Sequence, residues 1–113
     1  MNPPATEGIV VLITTPSKEE AERLGDFLIE SKLAACVNII EGVLSLFIWE
    51  GKRSRESEIL MLAKTKRGLF GPLCDAVRAR HSYSVPEIIA LPIVEGSAPY
   101  LQWVEKNTQS VAR

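Results

Sequence analysis

Apolar positions first fall into a pattern at Ile9-Val10-Val11-Leu12-Ile13, a short run rich in β-branched residues that Thr14-Thr15-Pro16 closes. Such a run predicts a buried strand. Ser17 follows with Glu20 three positions on, a capping box, and Ala21, Leu24, Leu28 and Ile29 then recur at helical spacing to about Ser31. Residues 33–40 and 43–49 are both strand-like. Between them Glu41-Gly42 predicts a bulge or bend, because the β-rich pattern resumes at once. Glu50-Gly51-Lys52 is the better hairpin turn. A polar stretch, 53–58, leads into Ile59-Leu60-Met61-Leu62-Ala63-Lys64-Thr65, so residues 33–65 form one long antiparallel hairpin with a polar tip. A second helix is expected over 67–80, with Leu69 or Phe70, Leu73, Cys74 and Val77 facing inward and Pro72 in its first turns. Residues 88–94 make a last strand, which Pro92, lacking a ladder donor, places at an edge or takes out of the ladder there. Gly96-Ser97 then precedes a short helix carrying Tyr100, Leu101, Trp103 and Val104.

The order β-α-β-β-α-β with a terminal helix is the split β-α-β, or ferredoxin-like, arrangement of the α+β class, with two helices on one face of a four-stranded antiparallel sheet. A sheet covered on one side alternates apolar and polar residues. These strands are apolar on both sides: Ile9, Val11 and Ile13 oppose Val10 and Leu12, Ile59 and Met61 oppose Leu60 and Leu62, and Ile88 and Ala90 oppose Ile89 and Leu91. In the hairpin, Val43, Phe47 and Trp49 point one way with Ser45 while Leu44, Leu46 and Ile48 point the other. The terminal helix can cover only part of the second face, so an oligomer of closed symmetry is expected.

Composition narrows the classes. A length of 113 residues suggests one domain, 8–113, behind a loose tail of residues 1–7 rich in Pro and small side chains. With 46% hydrophobic and 24% charged residues, disordered and fibrous classes are excluded. Thirteen basic residues against fourteen acidic ones give a net charge of −1, where a chain living on phosphate contacts carries a basic excess. Nucleic acid is therefore not expected as a partner. Nor is a membrane, since no apolar run approaches the ~20 residues of a span. MNPPATEG lacks the basic and apolar regions of a signal peptide, and Cys36 and Cys74 form no CxxC, so reduced thiols in a cytosol are expected. There is no GxSxG, P-loop, GxGxxG or paired-carboxylate motif. A Cys36–His81 nucleophilic pair would need an exposed thiol, and Cys36 stands between Ala35 and Val37 at a strand centre. The expectation is a protein that is not an enzyme.

Leu33-Ala34-Ala35-Cys36-Val37-Asn38-Ile39, Trp49-Glu50-Gly51-Lys52, Lys64-Thr65, the segment from His81 to Pro92, and Tyr100-Leu101-Gln102-Trp103 stand in the order and spacing of one family. From about Gly8 to Glu105 the chain closely resembles the CutA divalent-cation tolerance proteins. The resemblance implies a compact homotrimer of ferredoxin-like subunits, similar in architecture to the PII signalling proteins. It further implies a cytosolic role in tolerance of divalent metals, copper especially. The alternative it leaves is a PII-like sensor or scaffold that binds a small metabolite between subunits. The chain departs from the family pattern in four places: Glu41 stands where Pro is usual, Phe47 where Tyr is typical, and Ser82 and Ser84 replace Pro and Glu. The last change removes a carboxylate.

Two site readings follow. The family name invites a metal, with Cys36, His81 and Glu87 as candidate ligands and Cys74 as an addition of this chain; thiolate and imidazole suit copper or zinc. Both cysteines equally suit small buried hydrophobes, and His81 suits a cap on a helix that ends Arg78-Ala79-Arg80. The second reading is a polar cleft of His81, Tyr83 and Glu87 with Lys64 and Trp49, a mixed donor and acceptor set for a small anionic or zwitterionic ligand. Trp49 and Trp103 also suit subunit contacts. Lys52, Arg53 and Arg55, balanced by Glu50, Glu56 and Glu58, read as a solvated hairpin tip.

Overall fold

The apolar run near the start of the chain becomes a central strand, β1 (Gly8–Thr15), in a computed structural model that describes residues 6–111. A capped helix, α1 (Lys18–Glu30), leads to β2 (Cys36–Trp49) and β3 (Lys52–Lys66); a 3-10 turn, Arg67–Leu69, then enters α2 (Phe70–Arg80), β4 (Ile88–Pro92) and α3 (Ala98–Lys106). The sheet order is β2-β3-β1-β4 with every neighbour antiparallel. This is the ferredoxin-like topology, and β4, with its Pro92, lies at an edge as expected.

Strand alternation decides where the core sits. Ile9, Val11 and Ile13 of β1 and Met61 and Ala63 of β3 turn to one face, where they bury against Ala21, Leu24 and Leu28 of α1 and Leu73 and Val77 of α2. On the other face Ile40, Ile89 and Leu91 stay 43–52% exposed. Only α3 lies against that face, at the end where Lys66 Nζ meets Glu105 Oε1 at 3.2 Å and Val104 is buried. One face is a core and the other is largely bare, as the two-sided strands predict. No helix among the described residues is long and apolar enough to cross a membrane.

Local chemistry explains the boundaries. The Ser17 hydroxyl accepts the Glu20 N–H at 3.2 Å, so α1 starts where the capping box predicts. Its end takes two residues that the apolar pattern assigned to strand. Lys32 adopts φ 59°, and the N–H groups of Leu33 and Ala34 both turn back to the Leu28 carbonyl. That left-handed residue closes the helix and delays β2 to Cys36. The last strand stops at Pro92 rather than at 94. Of the expected loose tail, residues 1–5 lie outside the described residues, while Thr6 donates its N–H to Ile93 and Glu7 accepts from Arg67 N–H.

The hairpin outgrows the sheet. β3 pairs with β1 only from Ile59 to Lys66, so Lys52–Glu58 has β2 alone as neighbour. The register slips between Ile40 and Val43, with Gly42 at φ +83°, which is the predicted bulge. Beyond it Val43, Ser45, Phe47 and Trp49 pair with Glu58, Glu56, Ser54 and Lys52, placing them on the bare face; Leu44, Leu46 and Ile48 take the opposite one. Glu50 at φ 50° and Gly51 at φ 79° make the two-residue turn whose twist suits a hairpin.

Two glycines therefore answer oppositely to alanine. Gly51→Ala is expected to lower stability by about 1 kcal/mol, because a Cβ disfavours that left-handed conformation. Gly25 is helical, and a Cβ there meets Val37, Met61 and Ile39 only at 3.5–3.8 Å. Gly25→Ala is expected to raise stability by roughly 0.5–1 kcal/mol. Urea unfolding at one fixed protein concentration measures both, and shifts of the same sign would contradict this account.

Candidate functional site

Between the arm of the hairpin and the segment 82–87 lies an open cleft of about 850 Å³. One wall is formed by Ser45, Leu46, Phe47 and Trp49 of β2, with Ser54, Glu56 and Glu58 of β3. Ser82, Tyr83, Ser84, Val85 and Glu87 supply the other, and Thr14 and Pro16 contribute from the end of β1. The hairpin tip is thus not evenly solvated. Alternation sorts its charges: Glu56 and Glu58 turn into the cleft, Arg53 and Arg55 away from it, and no Lys or Arg among the described residues lines it.

The 82–87 wall is fastened from below. His81 has a fully buried side chain whose Nε2 lies 2.8 Å from the Thr14 carbonyl, while Nδ1 lies 3.0 Å from the Tyr83 N–H. A carbonyl only accepts and a backbone N–H only donates, so on these contacts Nε2 donates and Nδ1 accepts. Glu20, also buried, accepts the Ser82 N–H at 2.9 Å instead of turning back to complete the capping box. Its Oε2 sits 3.3 Å from His81 Nδ1. At the top Tyr83 donates its hydroxyl to Glu58 Oε2 at 2.7 Å, linking segment to arm. Burial above all, then this bond and the negative charges of Glu58, Glu56 and Glu20, push the Tyr83 phenol well above its ordinary 10.0.

The expected site residues divide. Tyr83, Glu87 and Trp49 do line the cleft. His81 lies under it as a fastening, with both ring nitrogens engaged. Lys64 is elsewhere: it pairs with Val10 and Cys36, four residues of strand from Thr14 or about 13 Å at strand rise. Without Lys64 the lining is acidic, so a purely anionic ligand no longer suits it. Cys36 shares the Lys64 end of the sheet, beside Tyr100, whose phenol is pushed up by burial and then by that thiol. Cys36, His81 and Glu87 therefore do not converge, and among the described residues no three His, Cys, Asp or Glu side chains are grouped to hold a metal. The copper set does not fit a single subunit. Glu20, Glu56 and Glu58 are the functional positions that reading the chain missed. The Glu56/Glu58 spacing of two, on the face of Ser54, was the available signal.

Comparisons with known proteins agree with this architecture. A family model described as CutA1 divalent ion tolerance protein matches residues 9–107. The chain is 48% identical over 99 residues to the divalent-cation tolerance protein CutA of Thermus thermophilus, covering 88% of this chain and 96% of that one. It is 46% identical over 102 residues to the chloroplastic protein CutA of Arabidopsis thaliana, covering 90% of this chain but 56% of that protein, so it spans about half of that relative's length. The solved structure of the periplasmic divalent cation tolerance protein CutA from Archaeoglobus fulgidus superposes with a TM-score of 0.87 at 43% identity, over 90% of this chain and 99% of that one. The compartments in these names, chloroplast and periplasm, differ from the cytosol expected from sequence.

Tyr83 gives a pH signature. Unfolded, its phenol ionises near 10; folded, it holds its proton to higher pH, so the folded state binds more protons there and stability falls as pH rises past 10. Tyr83→Phe is expected to be less stable near pH 7 by about 1 kcal/mol for the lost bond, with a flatter decline above pH 10. Unfolding midpoints across pH 7–11 check it, and an equally steep alkaline decline in the variant would contradict it.

Proposed function

The chain belongs to the CutA1 divalent ion tolerance family, and from that premise we propose that it works as a homotrimer binding a small cationic ligand in the cleft between arm and 82–87 segment. One observation carries this reading: Glu56, Glu58 and Glu87 line the cleft and, among the described residues, no Lys or Arg does. A field of that sign concentrates cations and repels anions. The role is binding without a catalytic step, because His81 has no free nitrogen and Cys36 is remote from it. The two free cysteines support residence in a reducing cytosol.

The trimer rests on apolar surface exposed in the isolated subunit. Ile40, Ile89 and Leu91 are exposed on the bare face of the sheet, and Leu44, Leu46 and Ile48 on the opposite face of the arm, together more apolar surface than a monomer usually leaves open. β2 and β4 are both edge strands. A closed ring that sets one copy's β2 against the next copy's β4 removes both edges, and three-fold closure is the form the family resemblance implies.

A second reading keeps copper. Cys36 lies on the bare face with Lys64, the face that assembly encloses, so thiolates of different subunits would supply soft ligands together. Copper titration of Cys36→Ser tests it, and unchanged affinity overturns it.

For the main reading, wild-type protein at micromolar concentration is expected to show a trimer mass by size exclusion with light scattering. Leu91→Asp is expected to shift it towards monomer while the helix-side core stays folded by circular dichroism. A well-folded wild-type monomer overturns the assembly. Titrations with divalent ions and with organic cations, followed by calorimetry, test the cleft: Glu58→Gln is expected to weaken the cation that binds at least tenfold, and binding that is unaltered by it places the ligand elsewhere.

A further inference from the structure

We infer that the ligand of this cleft is an organic ammonium ion, held by Glu58 and flanked by the aromatic faces of Phe47 and Trp49. The inference rests on the cleft being the ligand site proposed above and names its ligand class. Glu58 is 6% exposed, yet among the described residues it has no ion-pair partner. Its Oε2 accepts one hydrogen bond, from the neutral Tyr83 phenol, and its Oε1 receives none. Oε1, which is not cut off from solvent, is thus an open acceptor on a side chain that lines the cleft, available to a cation. The cations of the arm do not reach it: Arg53 and Arg55 face away, and Lys52, at the turn, does not line the cleft.

The lining selects the kind of cation, in a cleft of about 850 Å³, the range of small-molecule sites. No three metal-ligating side chains are grouped among the described residues, so a chelated ion lacks its donor set. An ammonium group needs no chelate. It donates to a carboxylate or, when quaternary, lies against aromatic faces whose quadrupole attracts it. Phe47, Trp49 and Tyr83 bring three rings to the same lining as Glu58, and Glu56 and Glu87 extend the negative field along it for a second ammonium or a polycation. Ser45, Ser54, Ser82 and Ser84 add hydroxyls that accept from such groups.

The test titrates the purified oligomer with choline, cadaverine, succinate and magnesium chloride, read by calorimetry and by tryptophan fluorescence. Choline or cadaverine is expected to saturate one site per subunit, with a fluorescence change that Trp49→Phe abolishes and Trp103→Phe does not. Succinate is expected not to bind. Glu58→Gln should weaken ammonium binding at least tenfold. Glu56→Gln, an exposed position that leaves folding intact, should weaken cadaverine several-fold, which keeps the test decisive if Glu58→Gln does not fold. Magnesium binding that depends on Glu56 and Glu58, with no ammonium binding, overturns the ligand class while the cation cleft stands. Absence of binding by every cation overturns both.

Discussion

β3 has two neighbours from Ile59 to Lys66 and only one from Lys52 to Glu58, because β1 ends at Thr15. That difference in length governs the rest of the molecule. A two-stranded ribbon is marginal alone, and this one leaves Leu44, Leu46 and Ile48 exposed on one side and carries Glu56 and the buried Glu58 on the other. It needs support from something besides its own ladder. Within the subunit the support is the 82–87 segment, joined to it by the Tyr83–Glu58 bond. The cleft is the space between the ribbon and that buttress, so it exists because the hairpin overhangs the sheet.

The buttress is only as firm as its fastening. β1 pairs with β4 as far as Ile13 and Ile88, which leaves Thr14 one residue past the end of that ladder. His81 fills the position, donating from Nε2 to the Thr14 carbonyl and accepting the Tyr83 N–H at Nδ1. Glu20 reaches from the first turn of α1 to take the next N–H, that of Ser82. Three elements converge on three consecutive residues through buried polar groups, each with a partner, and satisfied networks of this kind fix one arrangement. No buried side-chain nitrogen or oxygen among the described residues lacks one.

Most of the fold was legible in the sequence because its signals are local. The Ser17 cap, the Gly42 bulge, the Glu50-Gly51 turn and the Pro92 edge each follow from a residue's own conformational preference. Leu33 and Ala34 misled because an apolar pair beside a strand looks like its beginning, whereas helix closure through Lys32 buries them equally well. The site was legible only in part. Tyr83, Glu87 and Trp49 reach the cleft, but Lys64 was placed beside them on proximity to a strand end, and β3 has two ends about 45 Å apart at its 15-residue length. Choosing the end requires the register, which no local pattern in β3 reveals. Glu20 was hidden differently: its place in a capping box already explained it.

Net charge is the least informative number about this chain, and the arm shows why. Its polar stretch contains Arg53, Arg55, Glu56 and Glu58, a balanced sum that reads as a solvated tip. A strand sends neighbours to opposite faces. Ser54, Glu56 and Glu58 thus share one face, Arg53 and Arg55 the other, and neutrality along the sequence becomes polarity across a ribbon one strand thick. Glu58 lies under Tyr83 rather than in water, and the Tyr83 phenol keeps its proton beyond its usual range, through its own burial first, then through its bond to Glu58 and the negative charges of Glu58 and Glu56. What the cleft attracts follows from that local field, and a whole-chain charge of −1 carries no information about it.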